Sequence, residues 1–112
     1  MKKRDALTDH AVNIHKDCPI STLKVLQERL RQDKKWGEQN HAPFVWLGIL
    51  MEEVGELSQA LLQTAFGGDK GGEQNIDDEL VQVAAVALAM VECCHRNKWG
   101  SNSIHQATSN RD

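Results

Sequence analysis

The sequence predicts an all-α fold: a helical bundle of four-helix type whose core is a hairpin of two long antiparallel helices. Three observations predict it. Apolar residues recur at spacings of three and four along two long segments. Proline and glycine punctuate the chain between those segments. No stretch alternates apolar and polar residues over the length of a useful strand.

Residues 1–20 lack a clean period and are expected to form an N-terminal arm or a short helix. Ser21 or Thr22 is placed to cap the first clear helix, which carries Leu23, Leu26 and Leu30 on one face. Lys34, Lys35 and Gly37 supply its stop signal. A loop over 37–43 follows, and Pro43 suits the first turn of the next helix. From Pro43 to Phe66, Leu47, Leu50, Val54, Leu57 and Leu61 make one apolar stripe. Gly67–Asn75 holds four glycines and reads as a loop. Asn75 or Asp77 is expected to cap the last helix, with the acids at 77–79 at its positive end. Leu80, Val83, Ala87, Met90 and Cys94 form its stripe, and its small residues let another helix approach closely. The domain is thus expected over 21–98, with 99–112 a polar C-terminal tail. Phe44, Trp46 and Ile49 lie off the main stripe of their helix. Trp46 reads as core or interface. Apolar surface on more than one side predicts a bundle completed by oligomerisation, as a homodimer or homotetramer.

A length of 112 residues suits one domain. With 26% charged and 40% hydrophobic residues the composition is that of a soluble globular chain. Thirteen basic and sixteen acidic residues leave a net charge of −3, too mild and of the wrong sign for binding nucleic acid by phosphate neutralisation. Neither a secretory signal nor a membrane-spanning stretch is read, so a cytoplasmic location is expected. Cys18, Cys93 and Cys94 form no CxxC pair, and free thiols are expected.

Helix geometry singles out Glu52, Glu53 and Glu56. At about 100° per residue, Glu56 lies about 40° from Glu52 and about 60° from Glu53. No lysine or arginine lies within four residues of them on either side. The competing reading is a solvated acidic face. Against it stands a second acidic group, Asp77, Asp78 and Glu79, at the start of the last helix. In an antiparallel hairpin Glu79 can face back toward Glu53 and Glu56. Carboxylates converging between helices repel unless a hard cation such as Mg²⁺ joins them, and metals held this way bind and activate phosphate esters.

These residues carry a family resemblance. Glu52-Glu53-Val54-Gly55-Glu56, followed by LSQAL, and then Glu79-Leu80-Val81-Gln82, resemble the EExxE and ExxD half-motifs of the MazG-like all-α nucleoside triphosphate pyrophosphohydrolases. The similarity runs from about Leu26 to His95 and includes KWGEQNH and AAVALA. Gln82 stands where the family's closing Asp is expected; its amide oxygen can ligate a metal but adds no charge. The resemblance implies Mg²⁺-dependent hydrolysis of nucleoside triphosphates, deoxynucleotides foremost, to monophosphate and pyrophosphate, in a house-cleaning role. Mn²⁺ is a possible substitute. Glu53, Glu56, Glu79 and Gln82 are the expected metal ligands. Glu52 is either a further ligand or the base that orients water, and Glu52 and Glu53 are the expected catalytic pair.

Trp36, Asn40 and His41 flank the acidic helix, where a ring can stack on a base and an amide or imidazole can bond its edge. The resemblance places base and sugar recognition there; a structural plug and a helix cap are the competing readings. In the glycine-rich loop Lys70 is a candidate phosphate contact, although the loop is no P-loop. Arg96 and Lys98 either complement the helix dipole or, as in relatives, hold phosphate. Glu38–His41 and Glu92–His95 both read ExxH, half of a di-iron pattern, but the first falls in a loop. The rival to an enzyme is a non-catalytic interaction module with an acidic face.

Overall fold

A computed structural model describes residues 5–17, 19–67 and 72–100. Four helices account for most of them: α1 Ala6–Asp17, α2 Pro19–Trp36, α3 Pro43–Phe66 and α4 Gly72–Asn97. Among the described residues there is no strand. No helix is long and apolar enough to cross a membrane.

The helix ends follow from local chemistry. Asp5 caps α1, its Oδ1 accepting the Thr8 N–H at 2.7 Å. Residues 6–17 are therefore a helix and not an irregular arm. α2 begins at Pro19, so Ser21 and Thr22 lie inside it and do not mark its start. It stops at Gly37, whose φ of +73° is left-handed and whose N–H reaches the Asp33 carbonyl at 2.8 Å. Pro43 opens α3, where the missing N–H costs nothing, and the Ala42 carbonyl accepts from Val45 and Trp46. α4 starts at Gly72, ahead of Asn75 and Asp77. Glu73 and Gln74 favour helix enough to extend it into the glycine-rich segment.

The end of α4 departs further from expectation. Lys98 takes the left-handed position at φ 54°, and the Trp99 N–H bonds the Cys94 carbonyl at 3.1 Å. This closure returns the chain on itself and packs half-buried Trp99 against the core, so Trp99 is not part of a frayed tail. A residue with a Cβ is strained there. Lys98→Gly is expected to stabilise the protein by about 0.5–1 kcal/mol, read as a higher denaturant midpoint with an unchanged slope.

α3 and α4 form an antiparallel hairpin. Trp46, early in α3, meets Val86, Ala89 and Cys93, late in α4. Ile49, Leu50, Met90 and Trp99 complete this cluster. Among the described residues the buried apolar set is small: Trp46, Ala60, Ala85, Val86, Ala89 and Cys93. Trp46, off the expected stripe, is its centre, while Leu47 and Leu61 of that stripe are nearly half exposed.

α2 is turned the opposite way from its apolar period. Leu23, Leu26 and Leu30 face outward at 51%, 47% and 61% exposure, and Gln32 is buried instead. The helix docks on α4 through polar contacts. Arg29 pairs with Glu92, Lys24 with Asp77 at 2.7 Å, and Gln32 Nε2 reaches Gln82 Oε1 at 3.5 Å. Periodicity locates an apolar face but does not say what that face meets.

Candidate metal centre

The α3–α4 pairing brings three carboxylates together. Glu53 and Glu56 leave α3 one turn apart on the side near α4, and Glu79 meets them from the first half of α4. One oxygen from each lies within 4.8 Å of the others. It is the only group of three or more His, Cys, Asp or Glu side chains arranged in this way among the described residues. Glu53 and Glu79 are half-buried and Glu56 is exposed. The Oε2 atoms of Glu53 and Glu79 are both shut away from solvent without a hydrogen-bond partner.

Electrostatics reflect that geometry. Burial pushes the Glu53 carboxyl above the ordinary value, and the charges of Glu56 and Glu79 push it further, with Glu52 adding to them. Glu79 is raised in the same way, first by burial, then by Glu56 and Asp78. No lysine or arginine among the described residues pairs with the three; their ion pairs lie elsewhere. Buried oxygens left unbonded are costly, and like charges add to that cost.

The donor set fits a hard divalent ion. Mg²⁺ takes oxygen ligands at about 2.1 Å, which spaces octahedral ligand atoms roughly 3–4 Å apart. The three carboxylate oxygens, within 4.8 Å of one another, lie close to that spacing. Waters and phosphate oxygens would fill the remaining positions, as Mg²⁺ usually requires.

The other expected site residues are placed differently. Glu52 is exposed beside the group and acts on it through charge. Gln82, one turn beyond Glu79, is turned to α2: its oxygen accepts from Gln32 at 3.5 Å. Trp36 ends α2 half exposed, with Lys35 Nζ 4.6 Å from its ring centre. Asn40 and Arg96 hold each other. Asn40 Oδ1 accepts from Arg96 Nε at 3.0 Å and Nη2 at 2.9 Å, and Arg96 also donates to the Gln39 carbonyl at 3.0 Å. The His41 ring stands edge-on to Trp46 at 4.9 Å. Arg96 and Lys98 lie about 25 Å along α4 from Glu79 at about 1.5 Å rise per residue. Within one chain that is too far to share a triphosphate with the carboxylates. Lys70 and Cys18 lie outside the described residues.

A separate cleft of about 580 Å³ opens at the far end of the hairpin, against Arg29, Trp46, Glu92, His95 and Arg96. Its cations are already matched, Arg29 by Glu92 and Asp33, Arg96 by Glu38. The same pairs occupy Glu38 and Glu92, the carboxylates that a di-iron site would need. The Arg29–Glu92 pair and buried Gln32 carry no sign in the sequence, because their partners are far away in the chain. No family model, curated protein or solved structure matches the chain.

Proposed function

We propose that the chain is a Mg²⁺-dependent hydrolase that splits nucleoside triphosphates, deoxynucleotides foremost, into monophosphate and pyrophosphate. One observation carries the reading: three carboxylates from two helices converge with two buried, unbonded oxygens, and no lysine or arginine of the described residues pairs with them. The resemblance of EEVGE and the Glu79 segment to the MazG-like half-motifs supplies the substrate class.

Glu53, Glu56 and Glu79 would hold the ion, which when bound would neutralise phosphate oxygens and favour in-line displacement. Glu53 and Glu79 fix its position, because burial limits their movement. Glu56, the exposed member, faces the incoming substrate. Glu52 stands at the solvent edge, where it orients the water that attacks the α-phosphorus. The new phosphorus–oxygen bond forms as Glu52 takes the water's proton, the α–β bridge breaks and pyrophosphate departs. Gln82 remains with α2 and takes no ligand role.

The test is a panel of nucleoside triphosphates incubated with protein and Mg²⁺. Monophosphate and pyrophosphate are the expected products, and chelation should stop their release. Diphosphate and inorganic phosphate as main products would mean attack at the γ-phosphorus and sink this assignment. No turnover on any nucleotide would favour the acidic interaction module.

A further inference from the structure

Position 82 is where α4 could add a fourth charge to the three carboxylates. It lies one turn beyond Glu79 and about 60° around the helix from it. The chain places an uncharged amide there. α2 brings a carboxylate to the same place. Gln32, buried at 8% exposure, has its Nε2 3.2 Å from Glu28 Oε2 and 3.5 Å from Gln82 Oε1. Its Oε1 accepts from Arg29 Nη1 at 3.2 Å, which fixes the orientation of the amide. One nitrogen therefore joins Glu28 of α2 to Gln82 of α4.

Glu28 stays charged. Its carboxyl is held below the ordinary value, chiefly by the hydrogen bond from Arg31. The Glu28 side chain is 11% exposed, whereas that of Arg31, 2.6 Å away, is 53% exposed. Solvent screens the guanidinium, so Glu28 keeps much of its field toward the protein. Glu28, Asp78 and Gln82 line one cleft of about 480 Å³ between α2 and α4. Such a cleft has room for ordered waters. Asp78 and Gln82 stand on either side of Glu79 along α4, so the cleft runs to the edge of the carboxylate group. An acid at position 82 would share the Gln32 amide with Glu28, and two carboxylates in one place repel. Negative charge at 28 and negative charge at 82 are alternatives, and this chain takes the first.

We infer that Glu28 is an outer carboxylate of the metal centre: it supplies from α2 the charge that position 82 lacks, and it acts on the ion through the ion's bound waters. This rests on the proposed metal binding at Glu53, Glu56 and Glu79. Mg²⁺ keeps several waters when few protein groups hold it. Groups that hydrogen-bond to a metal's immediate ligands change affinity by about 10–100-fold. Gln32 holds Glu28 for that role, and Arg29 holds Gln32.

The test is binding of Mn²⁺ alone to the full chain, read from the paramagnetic resonance of the free ion. Glu28→Gln is expected to weaken binding about tenfold. Arg31→Met removes the same ion pair and leaves the charge, so it should bind as tightly as the parent or more tightly. Adding Gln82→Asp to Glu28→Gln moves the charge to α4 and should recover most of the loss. Parent affinity in Glu28→Gln overturns the inference. So does an equal loss in Arg31→Met, which would make Glu28 an anchor for α2 and nothing more. A double variant that binds no more tightly than Glu28→Gln overturns it as well. Should Glu28→Gln not fold by circular dichroism, Gln82→Asp alone is compared with the double variant, and equal affinities overturn the inference. A parent that binds no Mn²⁺ at all has a different meaning: it removes the metal-binding reading itself.

Discussion

Glu56→Gln is expected to reduce Mg²⁺-dependent pyrophosphate release by at least ~100-fold, while the metal-free protein melts no lower than the parent. The two effects share one cause. The substitution removes a charged ligand from the ion, and it removes the charge that raises both Glu53 and Glu79. In the parent, millimolar Mg²⁺ should raise the melting temperature by mass action, because only the folded chain gathers the carboxylates. Na⁺ at matched ionic strength should do much less. A solvated acidic face would respond to ionic strength and not to ion identity.

The pH dependence has a definite sign. Glu53 and Glu79 have folded values above the ordinary 4.5, so in that window the folded state binds more protons than the unfolded state. Their contribution is fully present below 4.5 and is lost as pH rises through the raised folded values. Glu28, lowered chiefly by its hydrogen bond with Arg31, acts oppositely and at lower pH. Metal-free protein should therefore gain stability on mild acidification from neutral pH, and Glu56→Gln should flatten that gain. Full activity and an undiminished metal response in Glu56→Gln would remove α3 as the catalytic helix.

Trp46→Ala is expected to cost about 3–5 kcal/mol, a large share of the roughly 5–15 kcal/mol that stabilises a domain and enough to unfold much of the population at the lower end of that range. Trp46 is 3% exposed and is the only large side chain among the fully buried members of its cluster, the others being Val86, Ala89 and Cys93. Small neighbours cannot refill the space it leaves. Trp46→Phe should cost far less, because it keeps a ring against His41 and deletes an indole N–H that is buried without a partner. Chemical denaturation of the two variants side by side decides the matter: equal losses would mean that the indole nitrogen, and not ring volume, matters most.

Much of the hairpin was legible because its signals are local. Pro43 and Gly67 bracket α3 through backbone chemistry that any sequence displays. The Glu52, Glu53 and Glu56 arc follows from helix geometry alone, and the opposition of Glu79 follows from the antiparallel turn. What escaped depends on distant residues. Trp46 was off the stripe because the stripe averages two apolar faces of α3, only one of which meets α4. Leu23, Leu26 and Leu30 share one face of α2, yet the contacts of α2 are made by Arg29, Gln32 and Lys24 with residues on α4. Asn40 and Arg96 looked available as separate polar groups; folded, they satisfy each other.

The polar seating of α2 also fixes its register. Leucine ridges can slide past a neighbouring helix by a turn at modest cost, since one methyl group replaces another. Arg29–Glu92 and Lys24–Asp77 do not tolerate that shift: a slip of about 5.4 Å breaks both together. The two pairs work as a vernier with marks five residues apart on α2, and the Gln32–Gln82 contact lies about one turn beyond Arg29. Gln82 is one turn from Glu79, so the register of α2 also sets the rotation of α4 at the carboxylates.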